Sequence, residues 1–370
     1  MLISRWGMLD SSLGMIRSKL DNNEIPSDVV IQCPLCFNTQ SQLLFWNFDR
    51  LYGFKGDFAL IECNNCKLVR LSPRPNKDFI QSYYPSDDYY SYQVATGSIN
   101  DISNRNFLGK AREKLREIVL GSMGYPSSAL GSVGKLVEPL IVKLFFAQAT
   151  YGWGNKFPNY VKDGSALDVG SGNGRYLSFL KHHGWRVKGN DFSRTAADFA
   201  RAAFDIEVHV GSFEESPYVA ESFDYINLSH VVEHTFDPVK TMKLVFDLLK
   251  PGGRAYIEVP NFDSFSRRRS GAYWYPWETP RHLFMFSPEN LMLLIEQCGL
   301  KVEKIKTENG NFWAWDKTYK LEEQCGERLE TRPVNRVRYK PIFTVMRTLS
   351  AINRFIKPMN GDFICCWVKK

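Results

Sequence analysis

Ala166-Leu167-Asp168-Val169 runs into Gly170-Ser171-Gly172-Asn173-Gly174, and Arg175-Tyr176-Leu177-Ser178-Phe179-Leu180 follows. A short apolar run enters a glycine-rich turn, and the turn feeds a segment whose apolar residues recur at helical spacing. Strand, glycine turn and helix in that order open the nucleotide-binding half of a doubly wound α/β sheet. Glycine allows a sharp bend and a close approach of backbone to ligand. The first turn of the helix offers N–H groups that have no intrahelical partner. A lone turn of this kind is weakly specific, and its neighbours carry the rest of the pattern.

Trp185 to Asn190 is a second strand that ends on Asp191, 23 residues after Asp168. A carboxylate at that tip is an acceptor-only group, suited to the two hydroxyls of an adenosine ribose. Ile206 to Val210 with Gly211, Phe223 to Ser229, and Arg254 to Val259 read as strands three, four and five. The fifth follows a helix end and turn at Leu249-Lys250-Pro251-Gly252-Gly253. Leu300 to Lys306 reads as strand six and Asp362 to Val368 as a reversed last strand, with Cys365 and Cys366 in its core. Helix-length spacers between strands predict a mostly parallel sheet.

Four of the eight cysteines form two tight pairs, Cys33 with Cys36 and Cys63 with Cys66, separated by 26 residues. Two C-x-x-C turns at that separation predict a zinc ribbon. Each turn converges two thiolates on one tetrahedral ion, so all four positions close and the metal is structural. The surrounding aromatic residues, Phe45, Trp46, Phe48, Tyr52, Phe54 and Phe58, suit hairpins. Metal ligation supplies the stability that so small a core lacks. Thiolate ligands alone do not separate zinc from iron.

The Asp168–Gly174 turn, Asp191, the segment from Ser222 to His234 and the Leu249–Gly253 turn together resemble class I S-adenosylmethionine-dependent methyltransferases. The spacing G-x-G-x-G fits that family better than the dehydrogenase pattern G-x-G-x-x-G, since position 175 is arginine. The resemblance covers about Pro158 to Lys306 and the final strand. It implies an α/β fold with a doubly wound, seven-stranded Rossmann-like methyltransferase sheet, here with an N-terminal zinc ribbon and a helical insertion before the last strand. It also implies S-adenosyl-L-methionine as cofactor. Gly170, Ser171, Gly172 and Gly174 would face its methionine part and Asp168 its ammonium. Asp191 would take the ribose, and Phe192 and Phe213 would flank the adenine. Ser212 stands where many relatives carry an aspartate, and Ser229 would border the methyl group. A ribbon followed by this domain resembles a bacterial subgroup associated with sugar, polysaccharide or natural-product modification.

Loops past the carboxyl ends of the strands hold the chemistry in this architecture. Two segments are candidates for the acceptor site. The first is His230-Val231-Val232-Glu233-His234, where a histidine could act as a general base since its unperturbed pKa lies near neutrality; the alternative is that Glu233 and His234 only brace the loop and cap the helix. The second is Tyr273 to Leu283. There Trp274 and Trp277 could stack on a sugar or ring face, and Glu278 and Arg281 could orient hydroxyls or a phosphate. Packing or a lid is the alternative for those aromatics. A hydroxyl acceptor needs a base, for which His282 is the first candidate and His230 the second.

The 370 residues are 44% hydrophobic and 24% charged, the profile of a soluble globular chain, which excludes disorder and collagen-like repeats. No run reaches the ~18 apolar residues of a membrane span, and charges interrupt the first twenty residues where a signal peptide would be apolar. A cytoplasmic location follows as the expectation. The net charge of +7 is local: Thr331 to Lys370 carries nine Lys/Arg against Asp362, or +8, which leaves −1 for the other 330 residues. That distribution argues against nucleic acid as the main partner, although RNA methylation and a non-catalytic cofactor-binding scaffold stay open as alternatives. Ile342, Val345, Leu349, Ile352 and Ile356 recur at helical spacing opposite Arg347, Arg354 and Lys357, an amphipathic basic helix. Packing on its own domain is its commoner fate; a peripheral membrane contact is the other. The chain thus divides into an N-terminal extension (1–30), a zinc ribbon (31–75), a mostly helical substrate-side region (76–157), a methyltransferase core (158–310 with 361–370) and a basic helical insertion (311–360). A small molecule or glycan precursor is the expected acceptor, and oligomeric state is left open.

Overall fold

The computed structural model describes residues 25–84, 107–126, 156–310 and 356–370, together with a few single positions between them. The expectations for the residues before 25, for much of the substrate-side region between 85 and 155, and for most of the insertion after residue 310 lie outside the described residues.

Seven strands form the principal sheet: β1 (Ser165–Val169), β2 (Arg186–Asp191), β3 (Val208–Val210), β4 (Phe223–Ser229), β5 (Leu249–Pro260), β6 (Lys301–Glu308) and β7 (Phe363–Lys369). Their spatial order is β6-β7-β5-β4-β1-β2-β3. The order reverses beside β1, which is the switch point where doubly wound sheets open a crevice for ligands. β1 runs parallel to β2 and to β4, and β2 parallel to β3. β6 and β7 pair antiparallel, with Val302 opposite Val368 and Thr307 opposite Ile364. Cys365 and Cys366 are buried in that last strand, as its apolar run indicates. One expectation is corrected. The Leu249–Gly253 segment is drawn into the start of β5, which begins at Leu249 rather than at Arg254. The turn chemistry persists inside the strand, because Gly252 holds a φ of +80°.

The chain gathers into two compact units. One takes residues 25–84, 230–246 and most of the chain after 257; the other takes residues 107–126, 156–229 and 247–256. In the second unit, parallel register sets the carboxyl ends of β1 to β4 level with one another. Asp168 stands opposite Gly189 and Asn227, and Asp191 opposite Val210. The helix Arg194–Phe204 is started by Ser193, whose hydroxyl accepts the Ala196 amide at 3.1 Å, and it ends at Asp205 in a left-handed conformation. Its alanine face, Ala197 and Ala200, packs with Leu177, Ile206 and Val208. Small residues there serve a purpose: a Cβ at Gly174 would stand 2.7 Å from the Ala200 Cβ. The helix after the glycine turn can therefore approach its neighbour closely only because that position is glycine.

In the first unit a four-stranded antiparallel sheet carries the cysteines. Ser41–Phe48 pairs with Asp57–Cys63, which pairs with Val69–Leu71, and Phe284–Met285 joins the edge. A sequence-distant segment thus completes the cysteine-bearing sheet, a pairing that local pattern does not announce. Among the described residues, no helix is long and apolar enough to cross a membrane.

Candidate functional site

The glycine turn forms a cradle in the second unit. Gly170, Gly172 and Gly174 all hold positive φ, at 70°, 51° and 75°, a region that side chains disfavour. The Gly170 and Ser171 amides donate to the Asn190 carbonyl at 2.8 and 3.0 Å, tying the turn to the end of β2. Asp191 accepts the Gly172 amide at 2.7 Å on Oδ2 and the Ser193 amide at 2.8 Å on Oδ1, with the Phe192 amide also in support. A carboxylate has about four acceptor sites, so these amides leave part of its capacity for a ligand. Burial raises its pKa and the amides pull it back.

Asp168 is buried, and its Oδ1 accepts the Asn227 amide at 2.5 Å. Burial lifts its carboxyl to about 7, against the opposing pull of Lys156 and Asn227. Asn227 was not singled out from sequence; a polar residue inside the apolar Phe223–Ser229 strand was the signal available. Among the described residues, Ser171 Oγ and Asn227 Oδ1 are buried without a hydrogen-bond partner. Phe192 is 59% exposed directly after Asp191. Phe213 is buried, and Ser212 donates to Glu214 at 2.6 Å. Ser229 is half-buried at the end of β4. Left-handed glycines, orphaned polar atoms, two carboxylates and an open aromatic face fit a ligand that carries a cation, a ribose and a flat ring.

The four cysteines meet in the first unit. Cys33 and Cys66 sulfurs stand 3.5 Å apart, Cys36 and Cys63 sulfurs 3.4 Å, and all four lie within 4.8 Å of one another. A disulfide needs ~2.05 Å, whereas a tetrahedral ion with sulfur bonds of ~2.3 Å sets sulfurs apart by roughly 3.8 Å. The two turns are built alike. Phe37 and Lys67, each following the second cysteine, are left-handed. Their amides donate to the Cys33 and Cys63 carbonyls at 2.9 and 3.1 Å. Buried Arg70 donates to Ile31 O at 2.7 Å and Ser41 Oγ at 3.0 Å beside them. Burial lowers its pKa, and the four thiols raise it again.

His230 to His234 and the Tyr273–Leu283 segment lie together in the same unit. His230 holds a left-handed φ of 58°, and its ring sits between two carboxylates. Nδ1 is 3.2 Å from Glu233 Oε1, and Nε2 is 3.2 Å from Glu258 Oε1. Burial would depress the imidazole, but the two acids overcome it and raise the pKa to about 10. The ring is 38% exposed, which favours the carboxylates as the deciding influence. His230 therefore keeps its proton at neutrality and is a donor, not the base that the sequence made it the second candidate for. Glu258 was missed; a lone acid within the apolar β5 run was its signal.

His234 and His282 are the opposite case. Burial first, then the neighbouring His282, lowers His234 to about 4, and burial lowers His282 to about 3 despite its bond to a carbonyl. Both are neutral imidazoles. The remaining candidates turn inward. Trp274 and Trp277 pack edge to face at 5.4 Å and donate to Ser266 Oγ at 3.0 Å and Gly271 O at 2.8 Å. Arg281 grips Asp49 with two bonds of 2.8 and 3.1 Å, Glu278 Oε1 at 3.1 Å and Tyr83 O at 3.1 Å. The expected substrate contacts of Trp274, Trp277, Glu278 and Arg281 are thus corrected to interior ones, because their polar atoms are engaged by the protein. Arg267, the first of three consecutive arginines at 267–269, likewise donates to Phe262 O at 2.7 Å.

A methyltransferase-domain family model matches residues 119–305, half of the chain. The ubiquinone biosynthesis O-methyltransferase of Dinoroseobacter shibae is 31% identical over 164 residues, covering 41% of this chain and 66% of that protein. The protein of the same description from Coxiella burnetii is 28% identical over 159 residues, covering 42% and 61%. The chain therefore spans less than two thirds of the length of these curated relatives. The crystal structure of a SAM-dependent methyltransferase from Archaeoglobus fulgidus is 19% identical, with a TM-score of 0.40, and the match covers 72% of this chain and all of that one.

Breaking a buried ion pair by removing one partner strands the other charge, at about 3–5 kcal/mol. Arg281→Ala should lower stability by that order in urea denaturation, and Asp49→Asn with Arg281→Met should recover part of the loss.

Proposed function

Since the chain belongs to the methyltransferase-domain family, of the class I S-adenosylmethionine-dependent type, we propose that it methylates a hydroxyl of a small molecule, with a sugar or glycan precursor as the favoured class. The observation that carries the cofactor part is the cradle: three left-handed glycines flanked by Asp168 and Asp191 at level strand ends. The hydroxyl is favoured because the relatives named above are O-methyltransferases. The sugar class rests on the resemblance of a ribbon-bearing chain to glycan-modifying enzymes.

S-adenosylmethionine, when bound, supplies an electrophilic methyl group on a sulfonium. Asp191 would hold the ribose and Asp168 the ammonium, while Phe192 offers its exposed face to the adenine. Because the leaving group is neutral, the protein's main task is to align and desolvate the attacking oxygen. His282 would be the proton acceptor: it is neutral at pH 7 and keeps a lone pair, but burial holds its pKa down to about 3, so its basicity in this pocket is weak. His230, a cation between Glu233 and Glu258, would serve as a proton donor rather than as the base. The four cysteines would bind a structural zinc, with no position left for chemistry.

Calorimetry should detect S-adenosylmethionine binding, and Asp191→Ala should weaken it roughly 10- to 100-fold, the equivalent of ~1.5–3 kcal/mol for hydrogen bonds to a charged group. Affinity should also rise with pH through about 7, because Asp168 must lose its proton before it attracts an ammonium. Asp168→Asn should flatten that slope. Labelled cofactor incubated with a small-molecule extract should place its methyl on an oxygen; label found only in RNA would overturn the acceptor class. Metal analysis should show that Cys63→Ser removes one zinc per chain and lowers the melting temperature.

A further inference from the structure

The pocket of Glu233, His234 and His282 contains more than a base requires. Glu233 is 1% exposed, and among the described residues its Oε2 has no hydrogen-bond partner. A buried carboxylate oxygen without a donor is costly, and such an orphan calls for a physical explanation, such as a place for a bound ion. One ligand atom from each of the three side chains lies within 4.8 Å of the others. The His234 and His282 rings cross at 82° with centroids 4.5 Å apart.

The tautomers follow from the acceptors around the rings. His282 Nδ1 is 2.7 Å from the Pro276 carbonyl, and His234 Nδ1 is 3.1 Å from the Arg281 carbonyl. A carbonyl can only accept, so His282 Nδ1 carries hydrogen and its Nε2 presents a lone pair; His234 Nδ1 also lies 3.0 Å from the Tyr84 hydroxyl, and when it donates to the Arg281 carbonyl its Nε2 presents a lone pair as well. Backbone carbonyls that orient the distal nitrogen in this way are the usual support behind metal-binding histidines. Glu278 Oε2 stands 3.5 Å from His282 Nε2 and adds a second carboxylate. The segment that provides both carbonyls is itself pinned, through Arg281, to buried Asp49.

We propose that Glu233, His234 and His282 form a second metal site, separate from the four cysteines, that takes a divalent transition ion of the zinc type. Two imidazoles and a carboxylate are a donor set suited to that class, and three ligands leave one tetrahedral position open. Ligand bonds of ~2.0–2.2 Å require the side chains to close by about 1 Å around the ion. Filling the site engages the His282 lone pair, so the ion competes with the proton-acceptor role assigned to His282 above. That consequence rests on the proposed function, whereas the binding itself does not.

The test adds Co2+ to the full chain with its four-cysteine site already loaded with zinc. The expected result is saturation at one further equivalent, with visible d–d absorption and no sulfur-to-cobalt charge-transfer band. His282→Gln and Glu233→Gln, each verified as folded by circular dichroism, should weaken that binding at least tenfold while the zinc content stays unchanged. Absence of saturable binding, or appearance of the sulfur band, would overturn the site without requiring any variant to fold. Where methyl transfer is measurable, Co2+ or Zn2+ should inhibit it and a chelator should restore it. Loss of activity in every condition with Co2+ binding intact would count against the proposed reaction and leave the site standing.

Discussion

A buried ion pair between Arg281 and Asp49 organises the first unit. Both side chains are shut away from solvent, so neither charge is tolerable without the other. Asp49 is further held by the amides of Leu51 and Tyr52, and Arg281 by Glu278 and Tyr83. The pair joins two segments 232 positions apart in sequence. It fixes the carbonyl of Arg281 against His234 and, three residues upstream, the carboxylate of Glu278 against His282. The geometry of the histidine pocket is therefore inherited from a charge pair that does no chemistry of its own.

The second unit rests on a different device, backbone geometry rather than charge. Parallel register levels the tips of neighbouring strands, and left-handed glycines fold the first tip over the second. A side chain at Gly174 would collide with Ala200, and one at Gly189 would come within 2.7 Å of Ser171 Oγ. These glycines make room, and the room is lined by polar atoms that the protein does not itself satisfy.

Three histidines close in sequence or space end in opposite protonation states because their partners differ. His230 is 38% exposed and faces two carboxylates, which keep it charged, whereas burial is the main influence that keeps His234 and His282 neutral. Residue type alone gives all three the same pKa range. The depth of burial and the pair of carboxylates around His230 separate the proton holder from the lone-pair donors, and both are products of packing.

Local pattern was enough for the sheet and the cradle. The glycine turn, the acid at the tip of the next strand and the paired cysteines are short-range features, and their chemistry is dictated by neighbours a few positions away. The start of β5 was the exception, since the turn-forming Pro251-Gly252-Gly253 lies inside the strand Leu249–Pro260. What sequence could not decide was the role of the Trp274–His282 segment. Its aromatics and charges look like a binding surface, yet they are interior because Asp49, Asn47 and Phe45 come from a distant sheet to meet them. Burial, ion pairing, protonation and the spatial order of the strands all depend on contacts between remote segments, so only the tertiary structure sets them; turn geometry and the succession of strands along the chain depend on adjacent residues, and those the amino-acid sequence determined by itself.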